Sequence, residues 1–95
     1  PSPRSATNAL RALLYATGQG VPKDMKKAAQ LFRQAADQGF AEAENNLGVL
    51  YANGEGVKKD PKQAMKWFQK AAAQGHPAAQ RNLERLQQAQ NQKQK

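Results

Sequence analysis

The chain contains no cysteine, a single histidine, His76, and few acidic residues. The missing thiols exclude disulfides, thiolate catalysis and zinc bound through sulfur. No apolar run approaches the roughly 18 residues that a membrane-spanning helix needs. We therefore predict no metal, no cofactor and no transmembrane segment. The 7 Asp and Glu residues stand against 15 Lys and Arg residues, so the net charge is +8 and favours an acidic partner.

The sequence repeats itself with a period of 36 residues. Leu14–Ala16 recurs as Leu50–Ala52, and Gly18–Val21 recurs as Gly54–Val57. Residues 14–40 and 50–76 are identical at 15 of 27 positions, far above the one or two that chance would give. A period of this length is typical of stacked helix pairs.

Each repeat is expected to form two helices. In the second repeat an apolar stripe at helical spacing precedes Gly54, which suits a helix end. Asp60 before Pro61 is a helix start, with a capping acceptor followed by proline at the first helical position. A half repeat opens at Pro77. The sequence therefore predicts an all-α fold of five helices, over about 5–17, 24–38, 41–53, 60–74 and 77–89.

The residues that define each repeat form a specific motif: Ala43, Leu47, Gly48, Tyr51, Gly54, Gly56, Val57, Asp60, Ala64, Trp67, Phe68, Ala71, Ala72, Gln74 and Gly75. This motif resembles the Sel1-like repeat, a relative of the tetratricopeptide repeats that is common in bacteria. The resemblance implies a right-handed α/α superhelical solenoid and a non-catalytic adaptor. It also implies a concave groove lined by the first helix of each pair.

The expected domain organisation follows the repeats. A linker covers 1–4, the first repeat 5–40, the second repeat 41–76, a capping helix 77–90 and a disordered tail 91–95. The first helix departs from the motif, because strict spacing sets Arg11 against Leu47, and Leu10 matches Leu47 only if one residue is inserted. Glu84 takes the place of Gly48 in the capping helix, as suits an exposed end.

The first helix of each pair packs one face into the core and can turn its other face to the groove. The candidate protein-binding residues lie on that other face: Asn45, Asn46, Val49, Asn53, Arg81, Asn82 and Arg85. Asn46 and Asn82 are 36 residues apart and should lie on successive layers, where their amides could hold a peptide backbone. Arg81 and Arg85, one helical turn apart, could bind a carboxylate together. We predict binding of a protein or peptide segment, favouring an acidic one.

Alternatives from other classes stay open. A short stack exposes apolar ends, so the chain could be a structural piece of a longer array, or a scaffold that forms a weak homodimer rather than a monomer. A basic nucleic-acid binder is a weaker alternative, since no base-stacking or groove-reading motif accompanies the charge. An enzyme is not expected: the glycines after the first helices lack the Lys-Ser/Thr ending of a phosphate loop.

The compartment is not determined by the sequence. The chain begins with Pro1 rather than methionine, and we interpret this start as the result of processing or of excision from a longer protein. Because the family that it resembles is often exported, a periplasmic or envelope location is favoured over a cytoplasmic one.

Overall fold

The computed structural model describes residues 3–93 and forms five α-helices there, with no strand. They are α1 (Pro3–Thr17), α2 (Met25–Asp37), α3 (Ala41–Asn53), α4 (Pro61–Ala73) and α5 (Pro77–Lys93). The predicted all-α architecture of five helices is thereby confirmed. Residues 3 and 4 of the expected linker belong to α1, and residues 91–93 of the expected tail continue α5. Residues 1, 2, 94 and 95 lie outside the described part.

The second helix of each pair begins at an aspartate. The Asp24 carboxylate accepts a hydrogen bond from the Lys27 amide at 3.1 Å. The Asp60 carboxylate accepts from the amides of Lys62 and Gln63, at 3.1 and 3.2 Å. These amides lack partners within their own helix, so the two caps fix where α2 and α4 start.

A histidine cap begins α5. The Nδ1 atom of His76 accepts a hydrogen bond from the Ala79 amide at 3.2 Å. The imidazole therefore has a structural role at the connection between α4 and α5, as a residue between helices is expected to have.

The two repeats share the same loop geometry. The amides of Gly18 and Gly54 both donate to the leucine carbonyl four residues earlier, at 2.8 Å in each repeat. The amides of Asp24 and Asp60 both donate to the carbonyl of the repeat's tyrosine, at 2.9 Å. The strict 36-residue spacing of the sequence is thus also the spacing of the structure.

The same register continues into α1. Asn8, Ala9 and Ala12 are buried, as are Glu44, Asn45 and Gly48, the residues 36 positions later. Leu10 is 59% exposed, so it does not take the place of buried Leu47 and no insertion is present.

Small residues allow the helices to approach closely. Gly48 of α3 lies against the ring of Phe68 in α4, and a Cβ atom at this position would be only 2.6 Å from two ring carbons. Ala35 and Ala71, at equivalent places in α2 and α4, are fully buried. Close packing of this kind leaves no room for larger side chains between the paired helices.

Two contacts join the first repeat to the second. Gly56, in the loop after α3, lies so near the carbonyl of Met25 at the start of α2 that a Cβ atom would collide with it. Arg33 of α2 lies over the Trp67 ring of α4, with its guanidinium carbon 5.5 Å from the ring centre. Lys66 and Lys70 also approach this ring, at 5.4 and 4.9 Å.

Candidate protein-binding groove

A cavity of about 330 Å³ lies between α3 and α5, the first helix of the second pair and the capping helix. Its lining residues are Val49, Ala52, Asn53, Phe68, Asn82, Arg85, Leu86 and Ala89. We call this cavity the α3–α5 groove. Four of the seven candidate binding residues, Val49, Asn53, Asn82 and Arg85, are brought together in it. Its open side presents one guanidinium and two amides beside apolar side chains.

The asparagines are arranged differently from the expected ladder. Asn82 donates from Nδ2 to the Oδ1 atom of Asn45 at 3.0 Å, rather than lying above Asn46 as a free amide. Asn45 itself is only 7% exposed, so its side chain is directed into the structure and not toward a ligand. Asn46 is half-buried on α3 and does not line the groove. The Asn45–Asn82 pair therefore links α5 to α3, and Asn82 retains its own Oδ1 as an acceptor.

Arg81 and Arg85 are both exposed and lie one turn apart on α5, but only Arg85 lines the groove. In the repeat register Arg81 corresponds to Asn45, which meets α5, so Arg81 occupies the face that a further helix would cover. The joint binding of a carboxylate by Arg81 and Arg85 stays a prediction.

At one end of the groove Asn53 is already hydrogen-bonded. Its Nδ2 donates to the Oε1 atom of Glu55 at 3.2 Å. This local bond orients the amide at the mouth of the groove.

Four lining residues were not among the candidates: Ala52, Phe68, Leu86 and Ala89. Phe68 is buried, and its ring also lines the groove, where it lies against Gly48, which has no side chain. Leu86 corresponds to Leu50 in the register but is only half-buried. The floor of the groove is consequently apolar.

A second cleft, of about 470 Å³, lies on the other side of α3. Its lining residues are Lys26, Ala29, Gln30, Arg33, Gln34, Leu47, Tyr51, Gly56 and Val57. Arg33 is engaged on both sides, with Trp67 and with Asp37 at 3.3 Å, the one ion pair within residues 3–93. This cleft was not predicted, because it arises where the two repeats meet.

Glu44 is the one buried carboxylate of the described chain, at 4% exposed. Gln74 donates from Nε2 both to Glu44 Oε1 and to the Gly39 carbonyl, each at 2.9 Å. Burial raises the pKa of Glu44, while the hydrogen bond from Gln74 and the charge of Lys70 act to lower it. The carboxylate ties α3 to the end of α4 and does not open into the groove.

Within residues 3–93, no group of three or more His, Cys, Asp and Glu side chains is arranged to hold a metal ion. None of the helices in this part of the chain is long and apolar enough to span a membrane.

The fold and register define a helical-repeat solenoid whose first helices carry the groove. A sequence model of the Sel1 repeat matches residues 8–40 and 41–76. The chain therefore belongs to the Sel1 repeat family, as its motif indicated. Proteins of this family are commonly protein–protein interaction modules and generally act as scaffolds without catalysis.

Several solved structures are similar to this chain. A Sel1 repeat protein from Oxalobacter formigenes is 41% identical, with a TM-score of 0.84 over 86% of this chain and 34% of that one. A protective antigen of uropathogenic Escherichia coli strains is 39% identical, with a TM-score of 0.79 over 80% of this chain and 16% of that one. No curated protein matches the sequence.

A third similar structure is the cysteine-rich protein B of Helicobacter pylori. It is 33% identical, with a TM-score of 0.76 over 79% of this chain and 56% of that one. The present chain has no cysteine, so no disulfide joins its repeats. The chain spans about a third of the length of the Oxalobacter protein.

Proposed function

We propose that this chain is a non-catalytic adaptor that holds an extended, acidic segment of a partner protein in the α3–α5 groove. The observation that carries the proposal is the convergence of Val49, Asn53, Asn82 and Arg85 on one cavity with an apolar floor. Apolar side chains of the segment would lie on Val49 and Leu86, while the amides contact its backbone. Arg85 would pair with a carboxylate.

The net charge of +8 supports an acidic partner. Within residues 3–93, one ion pair occupies Arg33, and the other cations have no such partner. Uncompensated charge raises the rate of encounter with an acidic protein and makes that rate sensitive to salt. The aromatic side chains Trp67 and Phe68 are buried, so they do not form the stacking surface that single-stranded nucleic acid would use.

The test is affinity capture from soluble and envelope fractions with three baits: the native chain, Arg85→Glu and Arg81→Glu. Both variants make the same charge change one turn apart on α5, but only Arg85 lines the groove. A partner bound by the native chain and by Arg81→Glu, and lost by Arg85→Glu, would support groove binding. Equal loss by both variants would indicate a general charge effect instead and contradict the proposal. Circular dichroism establishes that each bait is folded.

Self-association is a second candidate function, favoured by the exposure of Leu10 and Leu13 on α1, at 59% and 39%. A pair of chains could bury these side chains against each other. Sedimentation velocity over a wide concentration range distinguishes the two candidates. A monomer at all concentrations would exclude self-association as the function.

A periplasmic or envelope location stays part of the proposal. The family includes a protective antigen of a pathogen among the similar structures, and an envelope protein segment is a fitting partner for an exported adaptor. Fractionation of the native cells, followed by detection of the full-length protein, tests the location. Detection in the cytoplasmic fraction alone would contradict it.

A further inference from the structure

The excess positive charge of the chain is not concentrated at the α3–α5 groove, where Arg85 is the one cation among the described lining residues. The cleft of about 470 Å³ on the other side of α3 carries Lys26 and Arg33 on its α2 side. We call it the α2–α3 cleft. No described residue lines both the cleft and the groove. A ligand of the cleft would therefore bind independently of the groove and of the proposed function.

A further cavity, of about 500 Å³, extends the α2–α3 cleft along the loop that follows α3. Tyr51 and Val57 line both cavities, so the two meet there. The further cavity adds Lys58 and Lys59 to the cations of the cleft. Its carboxylate, Asp60, accepts hydrogen bonds from two amides at the start of α4. Four cations thus line one continuous surface, and its one described carboxylate serves as a helix cap.

Two contacts hold Arg33 in place at the cleft. Its Nε atom donates to Asp37 at 3.3 Å, and its guanidinium carbon lies 5.5 Å from the centre of the Trp67 ring. The side chain of Arg33 is nevertheless 50% exposed. A guanidinium has further N–H groups that can pair with a carboxylate. An arginine fixed in this way loses little conformational freedom on pairing, which favours binding.

The floor of the α2–α3 cleft is apolar. Ala29 and Leu47 are buried, and Tyr51 and Val57 are half-buried against the core. Single-stranded nucleic acid stacks its bases on several aromatic rings, but Tyr51 is the one aromatic among the described lining residues. A polypeptide fits both parts of the surface, because an apolar side chain can lie on the floor while carboxylates pair with the cations at the rim.

We propose that the α2–α3 cleft is a second binding site, which takes an extended acidic segment of a partner protein with an apolar side chain between its carboxylates. Lys26 and Arg33 are seven residues apart on one side of α2. A helix rises about 1.5 Å per residue, so the two cations are roughly 10 Å apart along it. An extended chain advances about 3.3 Å per residue. Two carboxylates about three residues apart in the segment therefore meet both cations.

The second repeat provides matched variants for a test. Three cleft residues of α2 have counterparts in α4 that line neither cavity: Lys62 for Lys26, Met65 for Ala29 and Gln69 for Arg33. Ala29→Met and Arg33→Gln therefore introduce residues that the other repeat already carries at the same position. Ala29→Met fills the floor of the cleft, and Arg33→Gln removes the fixed cation. Lys62→Gln is the control for Lys26→Gln, because the same charge is lost away from the cleft.

The experiment selects peptides about ten residues long from a random displayed library, with the native chain as bait. The library is first passed over Ala29→Met, which removes peptides that bind elsewhere, including those that bind the α3–α5 groove. Calorimetry then measures the affinity of each selected peptide for the native chain and for five variants: Ala29→Met, Lys26→Gln, Arg33→Gln, Lys62→Gln and Arg85→Gln. A single-stranded oligonucleotide is measured against the same proteins. Circular dichroism verifies the fold of each variant.

We expect the selected peptides to carry two acidic residues about three residues apart, with an apolar residue between them. Lys26→Gln and Arg33→Gln should each weaken binding about tenfold. Lys62→Gln and Arg85→Gln should leave binding unchanged, and folded Ala29→Met should abolish it. If Ala29→Met does not fold, the contrast between Lys26→Gln and Lys62→Gln decides the question.

Several results would overturn the second site. Equal weakening by Lys26→Gln and Lys62→Gln would show a general effect of charge. Binding retained by folded Ala29→Met, or no selected peptide at all, would contradict a ligand in the cleft. An oligonucleotide that depends on Lys26 and Arg33, where no peptide does, would assign the cleft to nucleic acid.

The second site and the proposed function can fail separately. Peptides that lose affinity only for Arg85→Gln would bind the α3–α5 groove, which would support the proposed function and overturn the second site. Peptides that depend on Lys26 and Arg33 would support the second site, even if capture of a partner with Arg85→Glu contradicts groove binding.

Discussion

Gly20 and Gly56 occupy the same place in successive loops, with φ angles of +79° and +73°. An alanine at either position would be strained, because side chains disfavour this left-handed region by about 1–2 kcal/mol. Only Gly56 faces a neighbouring backbone, the carbonyl of Met25, while nothing surrounds Gly20 within 4 Å. The two glycines therefore allow conformational strain to be separated from packing between repeats.

We expect Gly20→Ala to cost only the strain, about 1–2 kcal/mol of the free energy of unfolding. Gly56→Ala should cost about 1–3 kcal/mol more, because its Cβ must displace the start of α2. Urea denaturation followed by circular dichroism measures both losses. Equal losses would mean that the loop moves away from α2 without cost and does not join the repeats.

Glu44 predicts a pH dependence of stability. Because burial raises its pKa above the ordinary value of 4.5, the folded protein binds more protons than the unfolded one just above that pH. The contribution of Glu44 to the free energy of unfolding is therefore fully present below pH 4.5 and declines as pH rises through the raised pKa. Glu44→Gln cannot titrate and should remove this decline.

The measurement is urea denaturation of the native chain and of Glu44→Gln at a series of pH values from acid to neutral. The stability of the variant relative to the native chain should increase with pH across that window. Glu42→Gln, on the exposed side of the same helix, is the control for the loss of one carboxylate. If the difference in stability between Glu44→Gln and the native chain does not change with pH, the hydrogen bond from Gln74 and the charge of Lys70 offset the effect of burial on the pKa of Glu44.

At the scale of the helices, the sequence predicted their number, order and starting residues well. Asp24 and Asp60 are strong local signals, because a carboxylate can satisfy free amides only at a helix start. The first residue of α1 and the last residue of α5 were less predictable. Both lie beyond the repeats, where no counterpart in another repeat indicates whether the helix continues.

The groove was predictable only in part, for a geometric reason. Adjacent helix positions differ by about 100° in direction, so Asn45 and Asn46 point to different neighbours. Which of them meets Asn82 depends on how α5 is rotated against α3, and a repeat period does not contain that angle.

The Asn45–Asn82 hydrogen bond should couple α5 to the rest of the array. Asn45→Ala and Asn82→Ala each leave the other amide without its partner in a partly buried place, and each should cost about 1–2 kcal/mol of the free energy of unfolding. The double variant should cost less than the sum, with a coupling of about 0.5–1.5 kcal/mol. A double-mutant cycle by urea denaturation measures it. Additive losses would show that packing alone holds α5.

At the scale of the whole molecule, the chain is an elongated array, with extents of 45 × 26 × 17 Å. Each helix pair contacts only its neighbours, so stability depends on the junctions between pairs as much as on the pairs themselves. The first junction includes the α2–α3 interface, the Gly56–Met25 contact, the Arg33–Trp67 contact and the hydrogen bond from Gln74 to the Gly39 carbonyl. Whether the array unfolds as one unit depends on that junction.

Trp67 is the lone tryptophan and is 2% exposed in α4, with Arg33 of the first repeat over its ring. Its fluorescence therefore reports on the second repeat and on the junction, whereas circular dichroism reports on all helices. In the native chain we expect the two signals to change at the same urea concentration, as a cooperative array requires. In Gly56→Ala the junction is weakened, so circular dichroism should begin to fall at a lower urea concentration than the fluorescence changes. Separate transitions in the native chain would contradict the coupling between the two repeats. Gly20→Ala provides the control for backbone strain alone.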